Sequence, residues 1–142
     1  MTPIDTVHEQ LRDASGLAGI LDATYRAFMT MLPAFEDLQD RGGPGFAAFV
    51  MAGTQAANGR LALHPAPSLP AAARATHLTA AGFSQLATQP VAKALADLGQ
   101  LIADRLAEAY VEAMNPIDRL ACIEAAWHAH DLSAFLGGAA PR

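Results

Sequence analysis

Three side chains near the C-terminal end carry the types and spacing that chemistry needs. Glu124, His128 and Asp131 stand at i, i+4 and i+7, which stacks them along one line of a helix. An imidazole between two carboxylates can serve as a general base oriented by its neighbours, or the three groups can share a metal ion. With Trp127 they form a candidate ligand-binding pocket: Glu124, Trp127, His128 and Asp131. A structural role competes with both chemical ones. Buried charges are costly unless paired, so the same groups would hydrogen-bond within the fold or lie on a half-buried face.

The helix that must position them begins at Asn115-Pro116-Ile117-Asp118. Asn caps, proline occupies the first helical position without losing a needed N–H, and Asp118 faces the positive end of the dipole. Projected at ~100° per residue, Ile117, Leu120, Ile123, Trp127, Leu132 and Phe135 share one apolar side, with Arg119, His130 and Ser133 opposite. The projection turns Glu124, His128 and Asp131 toward the apolar side, which is expected to face the core. Cys122 falls at the edge of that side and reads as a structural thiol.

The preceding helix, Pro90 to Met114, has a core stripe of Val91, Leu95, Leu98, Ile102, Leu106 and Ala109. Its outer face is acidic, with Asp104, Glu108 and Glu112 repelling at i, i+4. Earlier, Thr2-Pro3-Ile4-Asp5 repeats the cap chemistry of residues 115–118. From Ile4 to Phe35 an apolar stripe holds helical phase, which predicts one long bent helix or two nearly collinear ones, weakened at Ser15-Gly16 and kinked or restarted at Pro33. Arg41-Gly42-Gly43-Pro44-Gly45 is a turn. It has no preceding strand and no following Lys-Ser/Thr, so it is not a phosphate loop. A shorter helix is expected over Phe46 to Ala57, stopped by Asn58-Gly59. A longer loop near residues 59–69 follows, with His64-Pro65-Ala66-Pro67 unable to continue a helix. Ser68 is expected to cap a helix from Pro70 to Leu86.

Composition bounds the reading. The 142 residues are 52% hydrophobic, enough for one compact domain, taken here as 1–136 with a flexible tail at 137–142. The expected fold class is all-α: a single-domain bundle of five to six helices with short connections. One cysteine excludes an internal disulfide and a Cys-based zinc site, and a cytoplasmic location is the default. No apolar run reaches the ~18–20 residues of a membrane span. Net charge is −5, and the eight arginines and one lysine are dispersed, which argues against nucleic acid as a partner. Mean hydropathy is +0.20, high enough to predict that apolar surface is covered, most simply in a homodimer.

Two functions are therefore expected to compete. The first is a non-catalytic helical module binding a protein partner or a small apolar ligand. The alternative is a small metal-binding protein or enzyme using Glu124, His128 and Asp131. The residues specify no cofactor.

Overall fold

The computed structural model describes residues 2–76, 83 and 86–139. Among these residues there are six helices and no strand, an all-α bundle: α1 (Pro3–Asp13), α2 (Gly16–Arg41), α3 (Phe46–Leu63), α4 (Ala71–Arg74), α5 (Thr88–Glu112) and α6 (Pro116–Ala139). One buried cluster draws on all six.

Helix starts follow local chemistry. Thr2 forms a capping box with Asp5: each side chain accepts from the other's backbone N–H. The hydrogen bonds from Thr2, the backbone one first, hold the Asp5 carboxyl below its usual range. At α6 the Asn115 side chain accepts from Ile117 N–H at 2.8 Å, leaving Pro116 at the first helical position, where it needs no partner.

The apolar stripe from Ile4 to Phe35 breaks at Ser15, and Gly16 takes φ +75°. The two segments are not collinear. α1 folds back and packs on α2 and α5, burying Ile4, Val7 and Leu11. Pro33 neither stops nor restarts α2, which runs on to Arg41 with Pro33 buried. Its lost donor is tolerated because packing, rather than one backbone bond, holds a long core helix in place.

Four long helices form a ring in the order α2, α3, α6, α5, with α2 and α6 on the diagonal. Specific contacts fix the directions. Gln55 meets His128 and Ser68 meets Asp118, so α3 and α6 are antiparallel. Arg41, at the end of α2, meets Thr88, at the start of α5, and Arg105 reaches back to Ala14, so α2 and α5 are antiparallel as well. It follows that α3 and α5 are parallel and diagonal. The chain between them must travel the length of the bundle, roughly 27 Å for an 18-residue helix at ~1.5 Å per residue, which is why this connection is long.

Two arginines hold that crossing. Arg74 donates to the carbonyls of His64 (2.9 Å), Leu69 (2.9 Å) and Ala66 (2.6 Å). Arg41 donates to the carbonyls of Leu86 (2.7 Å) and Phe83 (2.6 Å), and pairs with Asp37 (2.6 Å). The planar fork of a guanidinium satisfies several loop carbonyls at once. Two arginines that looked merely dispersed in the sequence therefore converge on one connection.

Three expectations for this region are corrected. Asn58-Gly59 does not stop α3, which continues to Leu63. Gly59 is present for space: a Cβ there would land inside contact distance of the Phe28 ring. Ser68 does not cap a helix, since Pro70 precedes α4. The helix expected over residues 70–86 is limited to Ala71–Arg74 within the described residues, with Phe83 and Leu86 non-helical; residues 77–82, 84 and 85 lie outside them. α6 carries on past Leu136 to Ala139, so residues 137–139, expected in a tail, belong to the helix; residues 140–142 lie outside the described residues.

Candidate functional site

α6 is apolar on two sides, and the side facing the core is the one made of small residues. Ala121, Cys122, Ala125, Ala129, Leu132 and Leu136 are buried. The bulkier set is turned out: Ile117 is 52% exposed, Leu120 56% and Trp127 63%, while Ile123 and Phe135 are half-buried. Of the side expected to face the core, only Leu132 is buried. The reason is interhelical distance. A helix gripped by two neighbours needs short side chains along the seams if the backbones are to close to ~8 Å. At Gly99 of α5 an added Cβ would meet Leu132 and the Ala129 carbonyl of α6 at 2.9 and 3.1 Å. Leu132 already fills that seam against Gly99, and the Ala129 backbone closes on it.

The rotation moves the candidate residues with it. Glu124 and Asp131 are exposed, as is Trp127, and only His128 is half-buried. His128 Nδ1 lies 2.6 Å from Gln55 Oε1 of α3, which assigns the ring proton to Nδ1 if Gln55 accepts. The three groups still share one line on α6, but neither carboxylate reaches the imidazole within hydrogen-bond distance, and His128 is held by an uncharged amide. Among the described residues, no three His, Cys, Asp or Glu side chains come close enough together to hold a metal ion. Glu124, Trp127, His128 and Asp131 therefore form a mixed apolar and acidic outer surface, not an inward pocket. Arg119 and His130 do face outward as expected, Arg119 with its guanidinium 4.5 Å from the centre of the Tyr110 ring. Ser133 does not: it is half-buried and donates to the Ala96 carbonyl of α5 at 2.9 Å.

Two polar constellations escaped the sequence reading. Asp118, expected only to complement a helix dipole, is 2% exposed. It accepts from the Ser68 backbone N–H (3.0 Å) and hydroxyl (2.6 Å), pinning the crossing segment to the start of α6. In the second, the Tyr25 hydroxyl, at the end of a buried ring, contacts His64 Nδ1 (3.2 Å) and receives Arg60 Nη1 (3.3 Å). This ties α2 to α3 and to the chain after it. Neither has a local signal, because the partners are 35 to 50 residues apart.

Open depressions lie elsewhere. One of about 530 Å³ sits between the α1–α2 turn and α5, lined by Ala14, Ser15, Gly16, Arg105 and Glu108 among others. Arg105 is already engaged there by the Ala14 carbonyl and Glu108. A second, of about 330 Å³, runs along Asp5, His8, Glu9 and Arg12 of α1.

No family model, curated protein or solved structure matches the chain. No helix among the described residues is long and apolar enough to cross a membrane.

Cys122 is wholly buried. Burial first, and the nearby Asp118 charge second, push its thiol from 9.0 up to about 11. The thiolate is the reactive form, so iodoacetamide at pH 8 is expected to leave native protein unmodified and to label it fully in denaturant, as read by intact mass. Rapid labelling without denaturant would contradict this placement. A raised folded-state value also means that stability is unaffected by this group below pH 9 and falls as pH rises toward 11.

Proposed function

We propose that this chain is a non-catalytic helical module that acts by binding a protein partner through the outer side of α3 and α6, including the homodimer expected from its hydropathy. The observation that carries the reading is the exposure of Trp127, the single tryptophan, on the same side as exposed Leu120 and half-buried Ile123 of a helix whose opposite side is already packed. Large apolar side chains grouped on one surface mark interaction sites, and tryptophan is prominent among interface anchors. α3 supports the same reading. It buries Phe49, Ala52 and Ala56 inward while exposing Val50, Met51 and Leu61 outward, so it too is apolar on both sides. A partner protein is favoured over a small apolar ligand between helices because the seams are filled, as Gly53, Gly59 and Gly99 attest.

The test is site-specific photocrosslinking of the full chain in its native cells, with p-benzoylphenylalanine placed at Thr54 or Leu120. One defined product of discrete mass is expected from both positions and none from Asp97 on the outer face of α5. Absence of a product at both positions, or equal products at Asp97, would reject the proposed face.

A further inference from the structure

We infer that the occupant of the α3–α6 face is a second copy of this chain, seated so that α3 of each copy lies on α6 of the other; the inference rests on the partner-binding reading above. Three observations lead to it. The first is area. Val50 (36% exposed), Met51 (48%) and Leu61 (55%) on α3, with Ile117, Leu120 and Trp127 on α6, leave on the order of 600 Å² of mainly apolar surface uncovered, at ~150–250 Å² per large side chain. A standard-size interface takes ~800 Å² from each partner, so this surface is large enough for its apolar core, and it stands at the upper end of the ~300–600 Å² of a typical monomer's largest patch, which is itself often functional. Thr54, Asn58 and the flanking carboxylates supply the polar remainder.

The second observation is continuity. α3 and α6 are antiparallel neighbours, so Leu61 lies toward the Leu120 end of α6 and Met51 toward its Asp131 end. Both helices of one layer expose several large apolar side chains, whereas α5 over residues 93–104 presents Lys93, Asp97, Gln100 and Asp104 outward. An isologous dimer needs one self-complementary surface, and this two-helix layer supplies it.

The third observation is charge, and it selects the arrangement. The chain from Gly42 to Gly59 contains no charged residue, and the first that follows, Arg60, turns inward to Tyr25. The outer surface of α3 is therefore uncharged. α6 exposes Glu124 and Asp131. Laying α6 on α6 would crowd the carboxylates of both copies together in a chain of net charge −5. A two-fold axis running along the helices instead puts each copy's carboxylates against uncharged Thr54 and Asn58 of its partner, where the Asn58 amide offers a donor. Because this axis preserves height along the bundle, Leu61 of one copy meets the Leu120–Glu124 region of the other.

The experiment is sedimentation velocity on the full chain from about 1 to 200 µM, for wild type, Leu61→Lys, Leu120→Glu and an equimolar mixture of the two variants. Both positions are more than half exposed, and far-UV circular dichroism checks that the variants stay folded. Wild type is expected to run at twice 14.8 kDa. Each variant alone is expected to weaken association ~10–100-fold, as loss of central interface contacts does. The mixture is expected to recover the dimer, since one of its two contacts pairs lysine with glutamate and the other is wild type. Failure of the mixture to recover would overturn the α3-on-α6 arrangement. Wild type that stays monomeric to 200 µM overturns the second copy, while the crosslinking test still decides whether any partner uses the face. A dimer indifferent to both variants overturns the placement of the second copy on this face, and the crosslinking test again decides whether another partner uses it.

Discussion

Gly59→Ala is expected to destabilise the protein by about 2 kcal/mol, through overpacking of a filled core. The sign is not what helix propensity gives. Gly59 lies inside α3, four residues before its end, and alanine in a helix interior is worth up to ~1 kcal/mol over glycine. Against that gain stands the Phe28 ring. A Cβ on residue 59 overlaps three ring atoms, and Phe28 is completely buried, so the ring has no solvent to retreat into. Either Phe28 leaves its rotamer or α3 moves away from α2, and overpacking of this kind costs ~1–3 kcal/mol and sometimes more. Urea denaturation with circular dichroism measures the difference, and heating should show the midpoint lowered by roughly 6 °C. A double mutant gives the mechanism. Phe28→Leu alone opens space and destabilises, but combined with Gly59→Ala it should cost less than the sum, because each change relieves the other. Stability unchanged or raised in Gly59→Ala would mean that the two helices do not depend on this close approach.

Asp118→Ala is expected to cost more, about 3 kcal/mol. Two hydrogen bonds to a carboxylate are lost, each worth ~1.5–3 kcal/mol when one partner is charged, and the Ser68 N–H is left without an acceptor. The residue also sits in the first turn of α6, where a negative charge is favourable. The graded series matters more than the single value. Ser68→Ala removes only the hydroxyl bond and should cost about 1.5 kcal/mol, the lower end for a bond to a charged partner. Asp118→Asn keeps the shape and one acceptor and should fall between. Equal stability of Asp118→Ala and wild type would show that the crossing segment is held without this pin. An independent readout comes from Cys122. The Asp118 charge is the smaller of the two causes that raise its thiol, so in Asp118→Asn the thiol should titrate lower than in wild type and yet remain above 9.0, burial being the larger cause. A thiol that did not move would separate the two groups electrostatically.

The two predictions concern positions that the sequence reads differently. Asn58-Gly59 has the composition of a helix stop, and Asp118 that of a dipole partner. Both readings are sound local chemistry. A glycine that ends a helix and a glycine that admits a neighbouring ring look the same in one dimension, and Ser68 is 50 residues from Asp118, beyond any local pattern. The candidate site fared likewise. The line Glu124, His128, Asp131 is real, because helical spacing alone creates it, but its direction depended on which side of α6 the neighbours accept.

By itself the sequence determined where α1 and α6 begin, through Thr2-Pro3 and Asn115-Pro116, and that the fold class is all-α. It also determined the inward faces of α1 and α5, where Ile4, Val7 and Leu11, and Leu95, Leu98, Ile102 and Leu106, are buried as their spacing requires. Those helices have one apolar side, so hydrophobicity leaves a single choice. α6 has two. Projection weighs how apolar a side is, and by that measure Leu120 and Trp127 outrank Ala121, Ala125 and Ala129. Packing between two flanking helices weighs volume as well, and only the alanine side lets the backbones approach. Tertiary structure therefore placed the small residues inside and the large ones, with the acidic pair beside them, on the surface.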